Sequence, residues 1–300
     1  MSERNPRLDP ESAILHEEDK RTSQYVHGRS EREAERLSDQ AMTLADLLHH
    51  DTRYPAGSRV LEAGCGVGAQ TIILSKNSPD ACFTSIDISP QSLARALAYA
   101  DREGITNVCF RQADVYDIPQ DLDRFDHAFN CFLLEHVPDP HKALLAIRER
   151  LTNGGSITVI EGDHGSAFFH PDSIEARKAI DSLVEIQRRM GGNALIGREL
   201  YHLLYDAGFN KIRISPRMVY VDVTKPALVE GFTRNTFTAM VEGVRDQAIG
   251  LGLIDEATWE KGIRDLERTT EYDGSFCYTF FKGVAVKGSL IFVIPCFFRW

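Results

Sequence analysis

Apolar residues recur at steps of three and four through the first patterned segment. Ala34, Leu37, Ala41, Leu44 and Leu48 line one face of a helix ending near His50. Ser30 and Glu33 have the spacing of a capping box at its start, and Tyr54-Pro55-Ala56-Gly57 breaks it. The pattern then changes. Short apolar runs at 59–63, 82–87, 107–112, 126–133 and 156–161 read as buried strands. Helical stretches at 69–77, 90–103 and 139–151 separate them. This alternation predicts a parallel sheet with helices on both faces. Such sheets bind ligands at the carboxyl ends of their strands. Residues 172–208 read as helices interrupted at Gly191-Gly192, and 211–221 and 275–286 read as two late strands. Between these strands, 226–270 reads as a helical insertion placed to cover a site.

Composition narrows the partners. The net charge of -10 argues against a nucleic-acid surface, which is normally basic. Residues 1–24 are polar and read as a flexible leader without the apolar core of a signal peptide. No run reaches the roughly 18 apolar residues that a membrane span needs, so a cytoplasmic location is the default expectation. Cys65, Cys82, Cys109, Cys131, Cys277 and Cys296 have no metal-ligand spacing and read as thiols in a reducing compartment. Residues 287–300, KGSLIFVIPCFFRW, form an unusually apolar tail of open role, either a strap on the core or a membrane-surface contact.

The strongest chemical signal is Val60-Leu61-Glu62-Ala63-Gly64-Cys65-Gly66-Val67-Gly68. A buried strand runs into a turn where the backbone must bend sharply and approach a ligand without side chains in the way. A dinucleotide site would show G-x-G-x-x-G and leave helix amides for a pyrophosphate. Here the spacing is G-x-G-x-G, and Glu62 stands two residues before the first glycine. An acid beside the turn suits a cationic ligand with no phosphate, such as S-adenosylmethionine. Asp87 ends the second strand, where a carboxylate accepts from ribose hydroxyls, and Asp114 ends the third, within reach of an adenine amino group.

The segments VLEAGCGVGAQT, SIDISP, RQADVYDIP, FDHAFNCFLLEHVPDP and LTNGGSITVIEGD resemble the successive motifs of class I S-adenosylmethionine-dependent methyltransferases, nearest to the ubiquinone/menaquinone C-methyltransferase group. The resemblance is specific over about 55–165 and weaker to about 285. It implies an α/β fold: a Rossmann-like seven-stranded, mostly parallel sheet with helices on both faces, an antiparallel last strand and a helical insertion, filling residues 25–286. It implies S-adenosyl-L-methionine as cofactor, with Gly64 and Gly66 along its methionine part, Asp87 at the ribose, Asp114 at the adenine and Asn130 at the methionine end. Cys65, Ile88 and Val115 flank these positions and join the expected cofactor set with Glu62. Tyr25, ahead of the first helix, is a further cofactor candidate, and neighbouring His27 is a candidate for the acceptor.

Methyl transfer mainly requires alignment, plus a base if the acceptor must lose a proton. The fifth strand feeds Glu161-Gly162-Asp163-His164-Gly165-Ser166, then Phe168-Phe169-His170. His164 is the candidate base, with Glu161 or Asp163 orienting it or steadying a cationic acceptor. Phe168, Phe169, His170, Glu135 and Tyr220 are candidate acceptor contacts. No metal is expected, because histidine suits a hard cation poorly. The expected activity is methylation of a small molecule, at nitrogen or carbon of a secondary metabolite such as an indole or other heterocycle. Quinone C-methylation and O-methylation stay open, as do an NAD-dependent oxidoreductase, a non-catalytic cofactor-binding protein and a homodimeric assembly.

Overall fold

The strands resolve into one seven-stranded sheet in the computed structural model, which describes residues 40–288. They are β1 (Arg59–Ala63), β2 (Cys82–Asp87), β3 (Val108–Gln112), β4 (Phe125–Cys131), β5 (Leu151–His170), β6 (Phe209–Asp222) and β7 (Ser275–Lys287). Their spatial order is β3-β2-β1-β4-β5-β7-β6. The pairs among β1 to β5 are parallel, while β7 runs antiparallel to both β5 and β6. Parallel strands buried on both faces need continuous apolar runs, and in β1 every residue after Arg59 is buried.

The order reverses between β1 and β4, which are neighbours in register from Val60↔His127 to Glu62↔Phe129. Connections leave these two strands toward opposite faces, opening a crevice at their carboxyl ends. On one face, Ile72 of α2 (Ala69–Asn77), Leu93 of α3 (Pro90–Arg102) and Leu183 of α5 (Ile174–Arg189) pack with Phe110 and Phe129. On the other, Leu144 and Ile147 of α4 (Pro140–Arg150) and Leu204 of α6 (Leu200–Asp206) pack with Leu61 and Ile86. Three of these helix starts have a local cause. Ser89 accepts from the Ser92 amide ahead of Pro90, Asp139 from Lys142 ahead of Pro140, and Ser173 from Ala176.

The first helix is described from residue 40, with α1 at Ala45–His49. Its expected face holds, since Ala41, Leu44 and Leu48 are buried. The capping box at Ser30, together with Ala34, Leu37, Tyr25, His27, the leader and the apolar tail from 289, lies outside the described residues. Two cations dock the end of α1 on the sheet. Lys282 of β7, itself buried, donates to Leu48 O, Asp51 Oδ1 and Thr52 Oγ1 at 3.2, 2.5 and 2.6 Å. Arg217 of β6 pairs with Asp51 at 2.5 Å. Against the opposing push of burial, these bonds hold the Asp51 carboxyl down at about 2.

One strand departs from the sequence pattern. β5 continues past residue 161 to His170, because β7 offers its second half a partner: Phe168↔Cys277, Phe169↔Phe276 and His170↔Ser275 pair after a register break at Asp163/Phe168. The expected insertion is helical. A π-wound stretch, Val229–Thr238, leads through Ala239–Glu242 to α7 (Arg245–Gly250) and α8 (Glu256–Arg268). α8 lies tight against α5, where a Cβ on Gly262 would meet Glu175 O at 2.6 Å. Among the described residues no helix is long and apolar enough to cross a membrane.

Candidate active site

The turn after β1 uses its three glycines differently. All have positive φ, at 75°, 52° and 79° for Gly64, Gly66 and Gly68, a region that favours glycine. A Cβ on Gly64 would strike Leu133 Cδ1 at 2.7 Å, so this glycine lets the loop after β4 close on the loop after β1. A Cβ on Gly68 would press on Ala96 of α3 at 3.0 Å. A Cβ on Gly66 would meet nothing within 4 Å. Gly66 therefore faces open space, as a ligand-facing backbone must.

Acids surround this turn. Asp87 Oδ2 accepts from the Gly66 amide at 2.9 Å and its Oδ1 from the Ser89 amide at 2.8 Å. These bonds fix the half-buried carboxylate beside the turn, and a carboxylate has acceptor positions beyond two. Ile88 follows it, its carbonyl accepting from Gln112. Asp114 Oδ1 accepts from the Tyr116 amide at 2.9 Å, and Val115 between them is buried. Glu62 is buried, and its Oε2 accepts from Thr71 Oγ1 of α2 and Ser85 Oγ of β2, both at 2.6 Å. Burial pushes its carboxyl up to about 7, opposed by these hydroxyls and aided by the nearby Asp87 charge. Cys65 is a buried thiol, raised by burial and by the same two acids.

The exit of β4 is the second half of the crevice. Asn130 is fully buried, yet neither its Oδ1 nor its Nδ2 has a hydrogen-bond partner. A buried amide left this way needs a ligand or an ordered water to satisfy it. Phe132 follows at φ 55°, a conformation that bulky residues rarely adopt and that concentrates at functional sites. Glu161, at the matching level of β5, accepts on Oε1 from the Leu133 and Leu134 amides at 3.0 and 2.7 Å. It is fully buried, and burial, with Glu135 nearby, pushes its carboxyl well above the usual range.

Beyond β5 the site turns aromatic. His164 is buried, with Nδ1 2.7 Å from Tyr278 Oη. A Cβ on Gly162 would stand 2.3 Å from that hydroxyl, so glycine makes room for the tyrosine. Tyr278, Phe276 and Phe280 of β7 meet Phe232 and Phe237 of the π-wound stretch, with centroid distances from 4.7 to 6.1 Å. His164 lies edge-on to Phe237 at 6.1 Å.

Several expected residues lie elsewhere than the pattern implied. Asp163 does not orient His164. Adjacent strand residues project to opposite faces, and Asp163 instead holds Arg198 through two bonds of 2.7 and 2.8 Å. Tyr278 takes the orienting position. Phe169 is a core residue, stacked on Phe276 at 6.2 Å beneath the Arg177 guanidinium. Phe168 is 52% exposed and Tyr220 43%, and both pair with Cys277 away from His164. His170 is exposed before a cis proline. Glu135 does reach the site, its carboxylate bonded to Gln187 Nε2 at 3.2 Å. The apolar pattern of the insertion marks Phe232 and Phe237 as possible pocket residues, but Tyr278, Gln187 and Arg198 were invisible in the sequence: the contact between His164 and Tyr278 spans 114 positions, with no local signal to announce it. Among the described residues no group of three His, Cys, Asp or Glu side chains is placed to hold a metal ion.

Comparison with known proteins agrees with this geometry. The methyltransferase domain family matches residues 55–208, just over half of the chain. An uncharacterized Synechococcus protein is 33% identical over 153 residues, 49% of this chain and 35% of that protein. A ubiquinone biosynthesis O-methyltransferase of Cereibacter sphaeroides is 32% identical over 99 residues, 33% of this chain and 39% of the enzyme. The matched stretches thus span well under two thirds of these relatives. The solved phosphoethanolamine N-methyltransferase 2 of Haemonchus contortus, in complex with S-adenosyl-L-methionine, superposes with a TM-score of 0.51 at 16% identity, over 83% of this chain and 52% of that one. The glycine turn, the carboxylates at successive strand ends and the matched family together make this chain a class I S-adenosylmethionine-dependent methyltransferase.

Proposed function

We propose that this methyltransferase acts on nitrogen or carbon of a small, flat acceptor, such as an indole or another nitrogen heterocycle, held where β5 and β7 meet the helical insertion. The observation that carries this reading is His164, buried within the second half of β5, in contact with Tyr278 Oη and edge-on to the aromatic ring of Phe237. In this reading Gly64, Gly66, Asp87, Asp114 and Asn130 hold the cofactor, with Glu62 fixing the turn and Cys65, Ile88 and Val115 lining it. When bound, S-adenosylmethionine supplies a methyl group made electrophilic by its sulfonium.

The chain's own residues align the acceptor and manage its proton. Burial keeps the Tyr278 hydroxyl protonated, its ionisation pushed well up. Tyr278 holds His164 in one orientation. With the proton on Nδ1 directed at Tyr278 Oη, Nε2 keeps a lone pair for a proton from the acceptor. The aromatic rings of Phe232, Phe237 and Phe280 exclude water and favour a flat partner. The similarity to an O-methyltransferase of ubiquinone biosynthesis supports a second reading, a quinone or phenol acceptor.

Transfer of labelled methyl to a panel of heterocycles, quinones and phenols tests both readings. Heterocycles are expected to be labelled, and no labelling of any small molecule would sink the proposal. His164→Ala is expected to lower turnover about a hundredfold, the usual scale for losing a general base, with affinity for S-adenosylhomocysteine unchanged. An unaffected rate would return His164 to a packing role.

A further inference from the structure

A pair of buried carboxylates stands between the two halves of the crevice without a cation. Glu161 accepts from the amide of Leu134, the residue before Glu135, and the Glu135 charge opposes the ionisation of Glu161. Glu161 Oε1 is taken by two backbone amides, while Oε2 is buried and has no partner. Glu135 has His136 Nε2 at 3.6 Å and Gln187 Nε2 at 3.2 Å, and no Lys or Arg among the described residues pairs with either acid.

A second observation points to a ligand. Gln187, on α5, is 2% exposed, and its amide is held against Glu135 by bonds from Nε2 to the Glu135 carboxylate and carbonyl. Its Oε1 is buried with no partner. Two elements therefore each carry a buried oxygen without a hydrogen-bond partner, Glu161 Oε2 on β5 and Gln187 Oε1 on α5. Buried acceptors without donors are costly and are normally satisfied. Tyr278 feels the charges of Glu135 and Glu161, which places its aromatic cluster beside the pair. Aromatic faces and carboxylates together suit an ammonium group.

Resting on the methyltransferase reading above, we propose that the acceptor is a basic amine, bound through its ammonium group by Glu161 and Glu135 with Gln187. An ammonium brings the N–H donors that the orphaned oxygens lack. When the nitrogen gives up a proton, the proton goes to His164 Nε2, the base assigned above, and the nitrogen keeps the electron pair for attack. The same acids work against a phenolate, whose negative charge they repel.

The test measures binding as well as turnover, on the full chain saturated with S-adenosylhomocysteine. Phenethylamine and its uncharged isostere 2-phenylethanol are titrated by calorimetry. The amine is expected to bind at least about tenfold more tightly, the scale of one charge-assisted hydrogen bond. Glu161→Gln keeps an oxygen for the Leu133 and Leu134 amides, and Glu135→Gln changes the other acid. Each is expected to erase the preference while leaving S-adenosylhomocysteine affinity within about twofold, since neither removes a bond to that ligand in this proposal. Equal binding of the two probes to the wild type overturns the inference. So does an amine preference that survives both substitutions, or a loss confined to S-adenosylhomocysteine. With phenethylamine added to the labelled panel, methylation of quinones or phenols alone overturns the amine inference and leaves the methyltransferase reading standing. If nothing is labelled, the broader reading fails.

Discussion

The two ends of the crevice are made of different material. At the proposed cofactor end, from β1 to β3, the exposed surface is backbone: a glycine turn with open space at Gly66 and carboxylates pinned by backbone amides. At the proposed acceptor end, around β5 and β7, it is side chains: His164, Tyr278, Phe237, Glu135, Glu161 and Gln187, drawn from five separate segments. A backbone surface tolerates little variation in its glycines and strand-end acids, because geometry leaves few alternatives. A side-chain surface can change its occupant by changing one residue. The comparison explains how one fold keeps its cofactor while its acceptor differs.

Four substitutions sharpen or break this contrast. Gly66→Val should have the largest effect. Its side chain would enter open space and not the protein, so the fold should survive a strain of about 1–2 kcal/mol from positive φ. Affinity for S-adenosylhomocysteine should fall by more than about a hundredfold by calorimetry, since the cofactor and the side chain claim the same volume. A folded variant that binds normally would move the cofactor elsewhere.

Glu62→Gln should come next. The Glu62 carboxyl titrates near 7 in the fold against an ordinary value of 4.5. A raised carboxyl binds its proton better when folded, so this contribution is present below about pH 4.5 and is lost as pH rises through 7. Without cofactor, denaturant unfolding should show the wild type losing on the order of 2 kcal/mol across that window relative to the variant. Parallel pH profiles would place Glu62 in a more polar setting than its burial indicates.

Asp87→Ala removes a charged acceptor from the cofactor end and should weaken S-adenosylhomocysteine binding by about tenfold or more. Unchanged affinity would detach Asp87 from the ribose. Phe168→Ala should do least. Its side chain is 52% exposed, at the strand position paired with Cys277. Stability should shift by no more than about 0.5 kcal/mol and kinetics not at all. A change in turnover would extend the acceptor site to the outer face of β5.

Much of the architecture was legible in the sequence because its causes are local. β1 and β2 fall where the apolar runs predicted, and α2 where the helical spacing did. Glycine spacing and strand-end acids announced the turn after β1 and the carboxylates beside it, since both belong to residues adjoining the strand that positions them. The fifth strand was read as ending at 161, because its continuation depends on β7, more than a hundred residues away. For the same reason Asp163 looked like a partner for its neighbour His164, while the fold gives it Arg198 and gives His164 to Tyr278.

The sequence by itself determined the order of elements, the glycine turn and the acids that follow successive strands. Each is set by period, backbone conformation or position along one segment. Only the tertiary structure decided which acids are buried together, which rings face His164, and that Lys282 and Arg217 hold the first helix. Burial and proximity between distant segments arise from packing, and no property of one residue or its sequence neighbours encodes them.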